Sequence, residues 1–232
     1  MAQKINPVSF RLGTTQIWNS NLQVYGKSYK VYSLLSFQYL EIDELIKRIL
    51  NFNGFSVGYQ NWKIGKYKIQ LSIHYSELIF TEKKSKLSAF KSIFKILNNW
   101  FPGKISLVLY FNNLKDSLFN NFLVEYTQYL TSINTSSKKV IWSISKLLKI
   151  YLKNEKIIFY KKGILKARLK GFKISFKGRL EDSKAQMAKS LQYSEGNLPL
   201  NTLKSYISYS NNVIYTKNGT CGLKIWLFYE FY

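Results

Sequence analysis

The chain has 232 residues, enough for one large or two ordinary domains, and 46% of them are hydrophobic, which builds packed cores and excludes a merely disordered basic tail. Lys and Arg number 35 against 12 Asp and Glu, a formal net charge of +23, so a polyanionic partner is required. One cysteine and one histidine exclude a disulfide framework and the usual zinc spacings, and no apolar run reaches the roughly 18 residues of a membrane-spanning helix.

Residues 1–26 contain Pro7, Gly13 and Gly26 and no sustained hydrophobic period, which predicts an extended arm. An arm without its own core is ordered by what it binds, so Lys4 and Arg11 are expected to contact nucleic acid. Lys4, Asn6 and Pro7 stand where a signal peptide would be apolar, and the stretch is not Arg-rich like a transit peptide. If the protein works in an organelle, the expectation is synthesis there or prior removal of a presequence.

Over 30–50, apolar residues from Leu34 to Leu50 recur at helical spacing, with Glu41, Asp43, Glu44, Lys47 and Arg48 opposite, which predicts a long amphipathic helix. Two strands follow at 52–59 and 66–75. The second alternates Tyr67, Ile69, Leu71 and Ile73 with Lys68, Gln70, Ser72 and His74, so His74 reads as an outward surface residue. A basic stretch at 81–86 leads into a helix at 87–99, a Phe101-Pro102-Gly103 turn and a strand at 105–111, giving the order αββαβ. A linker is expected near 112–115.

A helix is predicted from 114 to 130, ended by Asn134-Thr135-Ser136-Ser137, and another over 138–153 carries Lys138, Lys139, Lys146, Lys149 and Lys153. Lys146, Lys149 and Lys153 would share one face. Beyond Lys170 the pattern turns to strands, at 172–176, 185–193, 205–215 and 222–228. Lys173, Lys177 and Arg179 alternate along one strand and would leave the same face, as a phosphate track requires. Phe172, Phe176, Trp226 and Phe228 read as buried packing, and Cys221 as a structural residue at a Gly-bounded turn. Glu181 and Asp182 are sequence neighbours that face apart on a strand, with no third carboxylate near. No catalytic constellation, metal site or cofactor is expected.

Basic residues are overwhelmingly Lys, with Arg only at 11, 48, 168 and 179. Ammonium groups meet phosphates as point charges without the fork of Arg, so affinity should exceed base specificity. Lys, Asn, Ile, Phe and Tyr also have A- and T-rich codons, as a small organellar genome would favour.

The opening Gln3-Lys4-Ile5-Asn6-Pro7-Val8-Ser9-Phe10-Arg11-Leu12-Gly13 resembles G-Q-K-x-N-P-x-G-F-R-L-G. Near the other end Gly171-Phe172-Lys173-Ile174, Gly178-Arg179-Leu180, Glu195-Gly196, Pro199-Leu200 and Thr202-Leu203-Lys204 follow in order. Ile207, Tyr209, Tyr215-Thr216 and Gly222-Leu223-Lys224-Ile225-Trp226 complete the series. These resemble G-I-K-x-x-x-S-G-R-L, E-G-x-x-P-L-x-T-L-R, I-D-Y and Y-G-x-x-G-V-K-V-W of the small-subunit ribosomal protein S-three family.

The resemblance implies an α+β fold: an extended arm over 1–26, a type II KH-like domain over 27–112, and a C-terminal α+β domain with a mostly antiparallel sheet over 113–232. It implies a non-enzymatic constituent of the small ribosomal subunit, in the head and near where mRNA enters. The partners are then small-subunit rRNA, mRNA and neighbouring ribosomal proteins, with no membrane. The organelle expected is the mitochondrion, with the plastid as the alternative. A KH domain clamps nucleic-acid backbone with a G-x-x-G loop, but the corresponding segment, Thr81-Glu82-Lys83-Lys84-Ser85-Lys86, has no glycine. Lys83, Lys84 and Lys86 are its candidate phosphate contacts. In the helix at 138–153, with Val140-Ile141-Trp142 as anchor, Ser143 and Ile144 stand where the bacterial form has arginines. The five lysines there are the candidates for mRNA, and Lys4, Arg11, Lys173, Lys177 and Arg179 those for rRNA. The competing function, an intron-encoded endonuclease or maturase, would need metal-holding carboxylates on paired LAGLIDADG helices, and no such motif is present.

Overall fold

The computed structural model describes residues 5–18, 29–64, 68–77, 86–101, 106–113, 120–133, 135–152, 155–160, 163–180 and 187–231. The chain divides into two compact units, Asn19–Lys115, and Met1–Trp18 together with Asp116–Tyr232.

The first unit contains α1 (Tyr29–Phe52), β1 (Phe55–Ile64), β2 (Lys68–Glu77), α2 (Lys86–Trp100) and β3 (Ser106–Asn113), the αββαβ order expected from the sequence. Ile42, Ile46 and Leu50 of α1 and Ala89, Ile93 and Leu97 of α2 recur every fourth residue and meet in one core with Leu71 and Ile73. The helix includes Phe52, where a strand start was expected. The left-handed turn that ends it needs glycine, which arrives only at Gly54 (φ 81°). The backbone N–H and side-chain amide of Asn53 both donate to the Ile49 carbonyl, at 3.2 and 2.7 Å. β2 lies between β1, antiparallel to it, and β3, parallel to it, and α2 makes the crossover that a parallel pair requires. His74 differs from the expected surface residue. It is half-buried and stacked on Tyr59, with ring centroids 3.9 Å apart, and burial lowers its pKa.

The second unit places α3 (Asn120–Ser132) and α4 (Ser137–Tyr151) in one core with an antiparallel sheet of β4 (Glu155–Tyr160), β5 (Gly163–Gly178), β6 (Lys189–Gly196), β7 (Tyr206–Thr216) and β8 (Gly219–Phe231). The strand order is β4-β5-β8-β7, with β6 also paired to β5. Val140, Ile144 and Leu148 of α4 share the core with Phe172, Ile174 and Phe176 of β5 and Leu223, Ile225 and Leu227 of β8. Each such side chain contributes roughly 1.5–3 kcal/mol by burial.

Residues 155–170, unassigned from sequence, form β4 and the first half of β5. Before the β-bulge at Leu169/Gly171 the inward residues are Ala167 and Leu169; after it they are Phe172, Ile174 and Phe176. The extra residue shifts the phase of alternation by one. Gly171 faces Gly196 across the β5–β6 pair, and a Cβ on either would strike the backbone of Asn197 or Lys170.

Described arm residues belong with this second unit, and Arg11 is the correction there. Its side chain is wholly buried, where a phosphate contact was expected. Nε donates to the Ser205 carbonyl at 2.9 Å and Nη1 to the Pro7 carbonyl at 2.9 Å. Nη2 donates to the carbonyls of Pro199, Leu200 and Thr202 at 3.1, 2.8 and 2.8 Å. Beside it, Gln16 donates from Nε2 to the Ile207 carbonyl at 2.6 Å. A fork of five donors suits a loop whose carbonyls converge. Burial lowers the pKa of Arg11, yet a guanidinium keeps its charge in proteins.

Candidate nucleic-acid interface

The side of β5 turned away from the helices carries cations along its length. Lys166, Arg168 and Lys170 precede the bulge and alternate with buried Ala167 and Leu169, while Lys173 and Lys177 follow it and alternate with Phe172, Ile174 and Phe176. The bulge keeps both sets on one face, because each set opposes the core residues of its own half. The first three were missed in the sequence, although their alternation with Leu165, Ala167 and Leu169 is a strand signal.

Carboxylates offset part of this charge. Arg168 pairs with Glu155 at 3.4 Å and Lys170 with Glu230 at 2.6 Å, both at exposed sites. Lys177 is exposed, and Lys173 lies half-buried with its Nζ 5.8 Å from the Trp226 ring centroid. Trp226 meets Tyr209 at 5.3 Å, and Lys224 extends the same face of β8. Arg179 is exposed but lies one residue past β5, where Gly178 has φ 154°. Strand alternation therefore does not set its direction.

On α4, Lys138, Trp142, Lys146 and Lys149 follow at intervals of four, four and three residues, so they share a face. With Gln192 and Tyr193 of β6 they line an open groove of about 530 Å³. Trp142 is 65% exposed, and the Lys146 Nζ lies 5.4 Å from its ring centroid. Lys149 pairs with Glu195 at 3.1 Å, and the Tyr193 hydroxyl donates to the same carboxylate oxygen at 2.8 Å. The Tyr193 hydrogen bond, then Lys149, holds the Glu195 carboxyl below its ordinary pKa. Lys149 thus ties α4 to β6, leaving Lys138, Lys139 and Lys146 exposed on the helix. Ile144 is wholly buried.

The structure brings together Lys173 with Lys177, and Lys138 with Lys146 and Lys149, while Arg11 serves the loop at 199–205. Lys4, Lys83, Lys84, Lys153, Glu181 and Asp182 lie outside the described residues, and so does the side chain of Lys86. Phe172, Phe176 and Phe228 are buried, and so is Cys221, whose Sγ sits 3.9 Å from the Arg179 carbonyl. No described helix is long and apolar enough to cross a membrane.

The family model described as ribosomal protein S3, C-terminal domain, matches residues 157–227, from the middle of β4 into β8. Small ribosomal subunit protein uS3m of Chondrus crispus is 44% identical over 99% of this chain and 94% of its own length. The uS3 protein of Fusobacterium nucleatum is 27% identical over 99% of this chain and 94% of its own. The uS3c protein of Emiliania huxleyi is 27% identical over 98% of each. The match runs through both units, and it leaves the intron endonuclease or maturase reading without support. The chain belongs to the ribosomal protein S3 (uS3) family, a structural component of the small ribosomal subunit and not an enzyme.

Proposed function

We propose that the chain binds small-subunit rRNA in the head of a mitochondrial ribosome through the outer face of β5, and that α4 faces mRNA where it enters. The observation that carries the rRNA assignment is the row of Lys166, Lys173 and Lys177 on one sheet face, with Arg179 at its end. Side chains on one strand face repeat about every 6.6 Å, so Lys173 and Lys177, four residues apart, stand about 13 Å from one another, roughly two phosphate steps along an extended strand. Lys138, Lys139 and Lys146 support the mRNA assignment, being exposed cations on one helix. The name of the Chondrus crispus relative supports the mitochondrion. Neighbouring ribosomal proteins complete the set of partners.

The test is assembly of the K173A/K177A/R179A variant into small-subunit particles over a salt series, with crosslinking of thiouridine-bearing mRNA to the assembled particle. Each lost phosphate contact removes about 0.9 from the slope of log affinity against log salt, so three should remove nearly 3. The mRNA crosslink should map to α4 in the wild-type particle. An unchanged salt slope would refute the β5 track, and crosslinks that avoid α4 would refute the mRNA assignment.

A further inference from the structure

We infer that the groove between α4 and β6 seats one unpaired nucleotide of a single RNA strand, its base on the face of Trp142 and its flanking phosphates at Lys138 and Lys146. The inference rests on reading α4 as an RNA-facing helix, and it names what that helix holds.

Trp142 is the central observation. An indole left 65% exposed on the polar face of an amphipathic helix forgoes burial that its neighbours Val140, Ile141 and Ile144 obtain. It stands four residues after Lys138 and four before Lys146, so a cation flanks it on each side along the helix. The Lys146 Nζ stands 5.4 Å from the ring centroid, so it must swing aside toward a flanking phosphate for a base to stack on that face. The opposite wall is not lysine-rich: β6 supplies Leu191, Gln192 and Tyr193.

The wall is also held in place. Glu195 binds Lys149 of α4 and the Tyr193 hydroxyl of its own strand, so the two sides of the groove are joined at one end. A volume of about 530 Å³ falls in the range of small-ligand pockets and suits one nucleotide rather than a helix of paired bases. Duplex RNA keeps its bases stacked inside and presents phosphates and sugars, which Trp142 cannot use. A single strand offers a free base face, and stacking on an aromatic side chain needs no particular sequence. Cations on both sides of the indole select a polyanion over an apolar protein segment.

The test compares the full chain and its variants on labelled oligouridylate and on an RNA duplex of the same length, by anisotropy. W142A should weaken single-strand binding about tenfold and W142Y should recover most of it, with duplex binding unchanged. K173A/K177A should instead weaken both RNAs and lower the salt slope. Equal losses on single strand and duplex for W142A, or no loss on either, would overturn the groove assignment. So would a W142A chain that binds RNA normally but fails to enter the particle, since the occupant would then be a protein. If W142A is silent while K139A, on α4 but outside the groove, weakens single-strand binding, the groove inference alone falls; if both are silent, the reading of α4 as RNA-facing falls with it.

Discussion

Replacing Arg11 with Met keeps most of the side-chain volume and deletes every hydrogen bond it makes. The losses are to the carbonyls of Pro7, Pro199, Leu200, Thr202 and Ser205 and to the Ser205 hydroxyl. Residues 199–202 are partly or fully exposed, so their carbonyls can be rehydrated; Pro7 and Ser205 are buried, and theirs cannot. Two orphaned buried acceptors cost about 1–3 kcal/mol each. Removing the desolvated cation offsets part of that, which leaves a net loss of about 2–4 kcal/mol. At about 2–4 °C per kcal/mol for a protein of this size, Tm falls by about 10 °C, read by calorimetry on the purified chain. R11K should recover less than half, because an ammonium has three donors where the fork has five. A Tm within 2 °C of wild type, with the RNA-binding salt slope reduced by about 1, would refute this and return Arg11 to phosphate contact.

Two further outcomes concern Lys156 and Gly196. Lys156 sits against Tyr229, its Nζ 5.5 Å from the ring centroid, and burial pushes its pKa down to about 8. Its folded-state pKa lies below the unfolded one, so the folded chain binds fewer protons between the two and stability rises from about pH 8 toward pH 10. The full effect is at most about 3 kcal/mol. Urea midpoints should therefore increase between pH 7 and 9.5 and flatten in K156M, and a flat wild-type profile would refute the placement of the ammonium. Gly196→Ala must accommodate a Cβ at φ 74° against the Lys170 carbonyl, and should lose roughly 2–4 kcal/mol in denaturant unfolding. A loss below about 1 kcal/mol would show that the β5–β6 backbones are not so close.

Elements with one uninterrupted period were legible in the sequence. β2 buries Ile69, Leu71 and Ile73, and α4 buries Val140, Ile144 and Leu148, as their spacing predicts. The long β5 was half hidden because its bulge breaks the alternation between Leu169 and Gly171. Phase errors of that kind arise from hydrogen-bond register, which a sequence does not display. His74 was misread for a different reason: its alternation was right, but the outer face of β2 is covered by Tyr59 from β1. The groove was illegible because it needs a residue pair, Lys149 and Glu195, separated by 46 positions.

Several residues of the family motifs hold the architecture together. Gly171 and Gly196 let two backbones meet, and Gly178 leaves room for Cys221, whose Sγ a Cβ would approach to 2.6 Å. Arg11 gathers the carbonyls of the Pro199-Leu200 motif, so one terminal motif is the hydrogen-bond donor for the other. That link joins two motifs nearly 190 residues apart in the chain. The cations on β5 and α4 obey a looser rule. Phosphate contact by an ammonium depends on position and charge and only weakly on direction, so on the proposed reading arginine at Lys138, Lys173 or Lys177 should leave RNA binding within about twofold of wild type in the same anisotropy assay. The same tolerance cannot extend to Arg11, whose partners are fixed carbonyls in a closed pocket.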